Sequence, residues 1–408
     1  MGVSFRDDAA AIQGDLVELR KALHRRPEVG LALPHTQERV LAELDGLGLE
    51  ITTGAEATSV VAVLRGERRD GADPKTVLIR GDMDALPVDE QTGLDFAATN
   101  GAMHACGHDL HTAALVGAAR LLARHRDALK GDVVFMFQPG EEGFDGAGVM
   151  IREGVLEASG KRVDAAYAMH VFSSHMPSGV FCSRPGTIMS ASHGLFVTVR
   201  GAGGHGSAPH RARDPIAAAA QMIIALQTTV TRTFDIFDPV VITVGKISGG
   251  TKRNVIPDTA MFEATVRRYS EENEQLLDAA IRRTLEGVAA AHDVEVELQF
   301  ENEYPTTVNT PAEVEFAADV VRRELGAERY QELPNPVSGS EDFSRVLAEV
   351  PGAFLVIGAT PPGRDPQNAP MNHSPRADFD PAVLSDAAAV YAGLAARKLD
   401  ALAQEATS

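Results

Sequence analysis

The stretch VVFMFQPGEEG at residues 133–143 decides the fold class of this chain. Its first five residues are apolar, and turn-forming Pro and Gly and two carboxylates follow directly. An apolar run of this length that ends at a turn is typical of a strand buried on both faces of a sheet. Similar runs at 60–64, 76–80 and 165–171 alternate with helical patterns such as that of 110–125. The sequence therefore predicts an α/β domain with a largely buried sheet.

The two ends of the chain continue this pattern. Apolar residues at helical spacing predict helices over 7–26 and 36–47. Towards the other end, Thr310-Pro311-Ala312-Glu313 has the form of a capping box, in which the Thr and Glu side chains cap the start of a helix. A strand at 353–359 and a terminal helix after Asp380-Pro381 complete the α/β pattern.

The order of the predicted strands and helices changes in the middle of the chain. From Gly186 to about residue 303, strand and helix patterns follow one β-α-β-β-α-β cycle, the order of the ferredoxin-like split motif. Its helices begin after Asp214-Pro215 and Ser270-Glu271, which are both N-cap signals. We therefore expect a catalytic α/β domain formed by 1–185 and 304–408, with a second domain inserted at 186–303.

The composition excludes several classes of function. The 408 residues carry 38 Lys and Arg against 57 Asp and Glu, and this net charge of −19 disfavours binding to nucleic acids or anionic membranes. No apolar run approaches the ~20 residues that cross a membrane. The chain has 2 Cys, which suits a reducing compartment. We therefore expect a cytoplasmic protein whose partners are small molecules or other proteins.

A glycine pattern near residue 200 admits a dinucleotide-binding interpretation. Gly201, Gly203 and Gly206 spell G-x-G-x-x-G after a predicted strand. However, the next helix is predicted only from Asp214, and no acidic residue lies about 20 residues beyond the motif, where a ribose partner belongs. A flexible glycine loop that presents His205 is the interpretation we prefer.

The densest set of potential metal ligands is HACGHDLH at 104–111, just before a predicted helix. Cys106 and His108 are two residues apart, so on an extended segment both side chains point to one side and can converge on a metal ion. A buried Cys without a metal is also common, because the thiol behaves as a small apolar group. This stretch alone therefore leaves metal binding open.

The same chemistry recurs where predicted strands end. Glu141 and Glu142 follow the 133–137 run, and the neighbouring side chains diverge, so one can bind a metal while the other acts as a base. His170 ends the 165–171 run, and Asp82 and Asp84 follow the 76–80 run. The carboxyl ends of parallel strands meet at one edge of a sheet, which is the usual position of a site. Together these residues predict a basin of carboxylates, imidazoles and a thiolate.

Eight short blocks, taken in order, make the chain similar to a known family. They are Gly81–Pro87, His104–His111, Gln138–Gly143, Ala168–His170, His205–His210, Asn254–Asp258, Gly339–Phe343 and Asn372–Ser374. The sequence resembles the di-metal aminoacylase and carboxypeptidase G family of metallopeptidases, in particular its amidohydrolase branch with hippurate hydrolase and the indoleacetyl-amino-acid hydrolases. The resemblance implies a mixed-sheet catalytic domain of the di-metal exopeptidase type with an inserted ferredoxin-like lid, through which a homodimer can form.

The resemblance also implies a metal centre. Cys106 would bridge two divalent metal ions. Glu142 and His373 would complete one metal site. His108 and His170 would complete the other.

Four further residues receive roles from the same resemblance. Glu141 would be the general base, and Asp84 would orient a ligand imidazole. His205 would stabilise the oxyanion, and it and Asn254 would contact the substrate from the inserted domain.

Two positions depart from the carboxypeptidase members of the family. Asp82 stands where those members have a ligand His, and Cys106 stands where they have a bridging Asp. A thiolate favours zinc, whereas the branch also implies manganese, with nickel or cobalt as alternatives. The identity of the metal therefore stays open.

These observations predict a metal-dependent amidohydrolase that cleaves the amide bond of N-acyl amino acids, of the hippurate or acetyl type, to an acid and a free amino acid. A dipeptidase or a deacetylase of N-acetyl-diaminopimelate is the alternative within the class. A catalytically silent metal- or peptide-binding protein is the alternative outside it, and the presence of every expected ligand and of the base disfavours that reading.

Overall fold

The computed structural model describes residues 4–69 and 74–405. The chain divides into two compact units. The first unit consists of Met1–Ile188, Val308–Asn335 and Asp342–Ser408, and the second of Met189–Thr307 and Pro336–Glu341. The predicted division placed this last short segment in the catalytic domain. Backbone pairing explains its position, because Ser190 N donates to Gly339 O at 3.0 Å, a long-range contact without a local signal.

The strands occupy the positions that the apolar runs indicate. In chain order they are β1 (Glu50–Thr53), β2 (Val60–Arg65), β3 (Lys75–Asp82), β4 (Gly131–Gln138), β5 (Ala165–Phe172), β6 (Phe181–Ser183), β7 (Gly186–Met189), β8 (Ala191–Arg200), β9 (Gly204–His205), β10 (Val241–Gly249), β11 (Val255–Ile256), β12 (Thr259–Arg268), β13 (Glu295–Tyr304), β14 (Thr307–Asn309), β15 (Tyr330–Glu332) and β16 (Gly352–Gly358).

The helices surround these strands. In chain order they are α1 (Arg6–Ala11), α2 (Gln13–His24), α3 (Pro34–Leu44), α4 (His108–Arg124), α5 (Gly146–Arg152), α6 (Pro215–Thr233), α7 (Glu272–His292), α8 (Pro311–Leu325), α9 (Ser344–Glu349) and α10 (Val383–Glu405). Short 3-10 turns occur at Arg126–Ala128, Val155–Glu157, Pro209–Arg211 and Ala327–Arg329. No helix in the described part of the chain is long and apolar enough to cross a membrane.

The first unit is built on a mixed sheet in the order β1-β2-β4-β3-β5-β16-β6-β15. Its central pairs, β4 with β3, β3 with β5 and β5 with β16, are parallel, whereas β1 with β2, β2 with β4 and β16 with β6 are antiparallel. Every residue of β4 is buried, as the apolar run at 133–137 predicts. The α/β class with a largely buried mixed sheet is therefore confirmed.

The second unit is built on a four-stranded antiparallel sheet in the order β10-β12-β8-β13. With α6 and α7 this is the ferredoxin-like arrangement expected from the β-α-β-β-α-β cycle. The Asp214 carboxylate accepts hydrogen bonds from the backbone of Ile216 and Ala217 at the start of α6, as its cap role requires. In the glycine loop, β9 pairs with β11, and α6 begins only at Pro215.

Two local expectations at the ends of the chain are wrong. The single helix predicted over 7–26 is broken at Ile12 into α1 and α2. Helix α8 begins at Pro311 as expected, but the capping box does not form. The Thr310 hydroxyl instead accepts a hydrogen bond from Gly352 N at 3.2 Å, and the buried Glu313 carboxylate binds Tyr167 and Lys398. Tertiary partners have displaced the local cap.

A buried ion-pair network attaches α2 to the start of α4. Arg20 and His24, one helical turn apart, both donate to Oδ2 of Asp109 at 2.9 Å. The second ring nitrogen of His24 lies 3.1 Å from Oε1 of Glu90. Burial alone would lower the pKa of His24, but Asp109 and Glu90 outweigh burial and Arg20, and raise this pKa to about 9. Because Asp109 directly follows His108, this network fixes the first turn of α4.

The His24 imidazolium makes stability depend on pH. A group whose pKa is raised from 6.5 to about 9 by folding stabilises the folded chain fully below pH 6.5 and loses that effect as the pH rises through 9. We expect the free energy of unfolding to fall by roughly 3 kcal/mol over this range. Denaturant unfolding across the range measures the slope, which His24→Gln should flatten. Equal slopes in the variant and the wild type would contradict the assignment.

Candidate metal centre

The segment that carries Cys106 and His108 is a tight turn that leads into α4, rather than the extended segment expected. Gly107, between them, has φ +86°, and a Cβ at this position would lie 2.4 Å from Cγ2 of Val171. A side chain is thus excluded at Gly107 by both conformation and space. The turn brings Cys106 and His108, the first residue of α4, to one buried site.

His170 faces the Cys106 sulfur from β5. Its Nε2 lies 3.3 Å from Sγ of Cys106, and its Nδ1 lies 2.8 Å from the carbonyl oxygen of Val171. Because a carbonyl only accepts, Nδ1 carries the proton and Nε2 is the nitrogen with a free lone pair. Burial, with His111 and His108 nearby, holds the pKa of His170 well below its usual value, so the ring is neutral. This is the form of histidine that binds metals.

His373 and Glu142 approach the same sulfur from two other turns. Nε2 of His373 lies 3.2 Å from Sγ of Cys106 and 3.2 Å from Oε1 of Glu142. Hydrogen bonds that the His373 ring donates to Cys106 and Glu142 outweigh burial and raise the pKa of His373 to about 10. Burial raises the pKa of Glu142, but His373 and His108 lower it further than burial raises it. The negative potential that retains a proton here would equally favour a metal cation.

The donor atoms form two groups that share one sulfur. Cys106, His108 and His170 form the first group, and Cys106, Glu142 and His373 form the second, with the ligand atoms of each group within 4.8 Å of one another. Among the described residues, both ring nitrogens of His108 are buried without a well-formed hydrogen bond, although Oδ1 of Asp84 lies 3.4 Å from Nδ1. One sulfur, three imidazoles and a carboxylate, with His108 lacking a close partner, form a donor set that fits two divalent ions sharing the sulfur.

Asp84 holds the turn that carries the two glutamates. Its two carboxylate oxygens each accept one backbone N–H at 3.0 Å, Oδ1 from Glu141 and Oδ2 from Glu142. Oδ1 also lies 3.4 Å from Nδ1 of His108. Asp84 therefore fixes the turn, a function that the sequence did not indicate. Its role in orienting the His108 imidazole stays a prediction.

Glu141 lies beside the metal ligands. It is buried, with 6% of its surface exposed, and its carboxylate forms a further group with His108 and Glu142. The backbone bond to Asp84 fixes the residue at its position. The Glu141 ligand oxygen lies within 4.8 Å of the ligand atoms of His108 and Glu142. A buried carboxylate this close to a metal site can accept and release a proton during the reaction.

A fully buried arginine organises the end of the sheet, and sequence reasoning missed it. Arg80 donates to Asp82 at 2.5 Å, to Gln138 at 2.8 Å and to Asp342 at 3.1 Å. Gln138 in turn donates to both oxygens of Asp342. Two features of the sequence could have indicated this network. They are the cation Arg80 at the end of the apolar run 76–80 and the acid Asp342 in the block Gly339–Phe343.

Asp82 accepts hydrogen bonds from both Arg80 and His111. Nε2 of His111 accepts from Val171 N at 2.8 Å, so its proton is on Nδ1, which donates to Asp82 at 2.5 Å. Burial would raise the pKa of Asp82, but Arg80, with His108 and His111, holds it well below the usual value. Asp82 and His111 therefore support the neighbouring strand that carries His170, and His111 has no free nitrogen for a metal.

The structure brings most of the predicted site residues together in the first unit. These are Asp84, Cys106, His108, Glu141, Glu142, His170 and His373. His205 and Asn254 belong to the second unit, where Nδ1 of His205 accepts from the hydroxyl of Ser207 at 2.9 Å and Asn254 O accepts from Gly206 N at 2.9 Å. The substrate contacts assigned to these two residues stay predictions.

Comparison with known proteins identifies the family. Residues 78–397 match the model of peptidase family M20/M25/M40. The chain is 36% identical to thermostable carboxypeptidase 1 of Saccharolobus solfataricus, over 96% of this chain and 98% of that protein. It is 34% identical to an N-acetylcysteine deacetylase of Bacillus subtilis, over 95% of this chain and 97% of that protein.

A solved structure is similar to this chain in both fold and sequence. The Bacillus subtilis YXEP protein, described as a dinuclear metal binding peptidase from the M20 family, superposes with a TM-score of 0.81 at 31% identity. The match covers 96% of this chain and 99% of that one. The chain therefore belongs to peptidase family M20/M25/M40 and is a metal-dependent hydrolase that acts on amide bonds.

Proposed function

We propose that this enzyme hydrolyses the amide bond of N-acyl amino acids to an acid and a free amino acid, with two divalent ions at the candidate metal centre. The observation that carries the proposal is the pair of three-residue groups that share the Cys106 sulfur beside the buried Glu141. The similarity to an N-acetylcysteine deacetylase supports an acyl amino acid as substrate. The similarity to a carboxypeptidase keeps a dipeptidase as the alternative.

In this proposal Cys106 would be a ligand common to the two metal sites. Glu142 and His373 complete one site, and His108 and His170 complete the other. When bound, two divalent ions would supply polarisation of an amide carbonyl and a lowered pKa for a water molecule. Zinc and manganese are the metals that we expect, because the donors combine a thiolate with imidazole and carboxylate.

Glu141 carries out the proton transfers in this proposal. It accepts the proton of the attacking water and then donates it to the nitrogen of the leaving amino acid, while Asp84 holds the turn in place through the backbone of Glu141 and Glu142. We assign oxyanion stabilisation to His205 and substrate contact to His205 and Asn254, which the inserted domain would contribute as a lid.

Assembly and location extend the proposal. β10 is an edge strand of the four-stranded sheet, and a second copy could pair with such an edge, so we expect a homodimer through the inserted domain. Cys106 and Cys182 are both free, which suits the reducing cytoplasm expected from the sequence.

Amine release from a panel of N-acyl amino acids tests the function. We expect zinc- or manganese-loaded protein to release the free amino acid, detected with ninhydrin, and expect activity to be lost after chelation. Glu141→Gln removes the proton acceptor and should lower kcat by about 10² to 10⁴. Its metal content should remain that of the wild type, because Glu141 is not among the proposed ligands.

The outcomes separate the alternatives. Release from dipeptides but not from acyl amino acids would favour the dipeptidase. No release across the whole panel would favour the silent binding protein. Retained activity in Glu141→Gln would remove this residue from the base role.

Metal content tests the bridge. Cys106→Ala removes the donor that the two groups share, so we expect the purified variant to hold fewer than two ions per chain after dialysis, measured by mass spectrometry of the elements. Cys182→Ala is the matched control, because Cys182 is the other free cysteine and lies on β6. Two ions retained in Cys106→Ala would rule out the bridging role.

A further inference from the structure

The side chain of Asn372 connects three segments that carry proposed metal ligands. Its Nδ2 donates to the carbonyl oxygen of Val171 at 2.9 Å and to that of Cys106 at 3.2 Å. Its Oδ1 accepts from the backbone N–H of Ser173 at 2.9 Å and lies 3.0 Å from the Ser173 hydroxyl. Because Nδ2 faces two carbonyls and Oδ1 faces a backbone N–H, only one orientation of the amide satisfies these partners. The side chain therefore joins the turn of Cys106 and the end of β5 to the turn of His373.

The carbonyl group of Val171 connects Asn372 to the ligand His170. This oxygen accepts from Nδ1 of His170 at 2.8 Å as well as from Asn372. The backbone N–H of Val171 donates to Nε2 of His111 at 2.8 Å. The carbonyl that leaves Nε2 of His170 free is thus held in place, and Asn372 is one of the groups that hold it.

The amide nitrogen of Asn372 also approaches the sulfur that the two groups share. Nδ2 of Asn372 lies 3.7 Å from Sγ of Cys106. Hydrogen bonds to a metal-bound sulfur change its charge and its strength as a donor. Asn372 is therefore placed to influence Cys106 in two ways, through the carbonyl of that residue and through the N–H beside its sulfur.

The ligand His373 has a backbone conformation that needs support. Its φ is +70°, in the left-handed region that residues other than glycine rarely enter. Such a conformation persists only where the surrounding contacts fix it. The His373 N–H donates to the carbonyl oxygen of Ala105 at 2.9 Å, and the Ser374 N–H donates to that of Met371 at 3.0 Å. The side chain of Asn372, directly before His373, adds the contacts with β5 and with Cys106.

We propose that Asn372 is a positioning residue of the metal centre, whose carboxamide fixes Cys106, His170 and His373 relative to one another and so sets the affinity for the two ions. This role rests on the two-metal centre of the proposed function. Asn372 is not itself assigned as a ligand, because Nδ2 is a donor only and Oδ1 already faces the N–H and the hydroxyl of Ser173.

Titration of the metal-free protein with cobalt(II) tests this role. Cobalt bound to a thiolate has a charge-transfer absorption in the near ultraviolet, which reports on the bond to Cys106, and competition with a chelator gives the Kd values. Asn372→Leu keeps a side chain of similar size and removes its hydrogen bonds. We expect the Kd of the more weakly bound ion to rise about 10- to 100-fold. We also expect the absorption band to shift, which a loss of stability elsewhere would not cause.

The matched control is Gln13→Leu. Gln13, at the start of α2, is also a half-buried carboxamide that joins distant segments. Its Nε2 donates to the carbonyl oxygen of Pro381 at 2.8 Å, and its Oε1 accepts from Ser385 N at 2.9 Å. Neither partner is a proposed ligand, so this variant should keep the wild-type Kd values and absorption band. Wild-type values in Asn372→Leu, or an equal rise of Kd in Gln13→Leu, would overturn the positioning role.

A second variant decides the question if Asn372→Leu does not fold. Ser173→Ala removes the hydroxyl that bonds Pro370 O and Oδ1 of Asn372, while the backbone N–H of residue 173 remains. We expect the Kd of the weaker ion to rise about 5-fold, which corresponds to one neutral hydrogen bond. An unchanged Kd in this variant would count against the role of Asn372.

The positioning role and the proposed function can fail separately, because cobalt affinity does not depend on a substrate. If the wild type binds two ions but releases no amino acid, the proposed hydrolysis fails, and the difference between Asn372→Leu and Gln13→Leu still decides on Asn372. If the wild type is active and the two variants bind cobalt equally, the positioning role alone is overturned. If the wild type binds fewer than two ions, the two-metal centre and the positioning role are both overturned.

Discussion

The candidate metal centre depends on the buried ion pairs that the Arg80 guanidinium forms with two carboxylates. Asp82 at the end of β3 and Asp342 are both fully buried, and each binds this one cation. Burying a carboxylate without a partner is costly in free energy, so neither acid could occupy this place alone. Gln138, at the end of β4, completes the arrangement through Arg80 and Asp342. The ends of two strands and a distant segment are thereby held together.

The sheet register explains why the ligands meet. β3 and β4 are parallel, with Asp82 opposite Gln138, and β3 also pairs in parallel with β5, which carries His170. The carboxyl ends of these neighbouring strands therefore lie at one edge. The turns that follow them deliver Asp84 and the two glutamates to the same place. Strand pairing thus positions His170 and the strand ends that lead to Asp84 and the two glutamates, whereas turns position Cys106 and His373.

The fold was largely predictable from local patterns. The apolar runs and the β-α-β-β-α-β cycle indicate strands and helices directly, because burial imposes periodicity on the residues of each element. Local signals failed where tertiary partners compete. Thr310 and Glu313 have the form of a capping box, yet Gly352, Tyr167 and Lys398 take their polar atoms. The break at Ile12 likewise has no local sign that distinguishes it from a continuous helix.

The sequence by itself determined the class of the fold, the family and the set of candidate donor residues, since those depend on residue type, order and spacing. Only the tertiary structure decided which candidate donors lie close to the Cys106 sulfur and which nitrogen of His170 is free. It also decided that Asp82 is committed to Arg80 and His111. Hydrogen-bond partners and proton positions depend on distances between segments far apart in the chain, and these distances are set by strand pairing and burial.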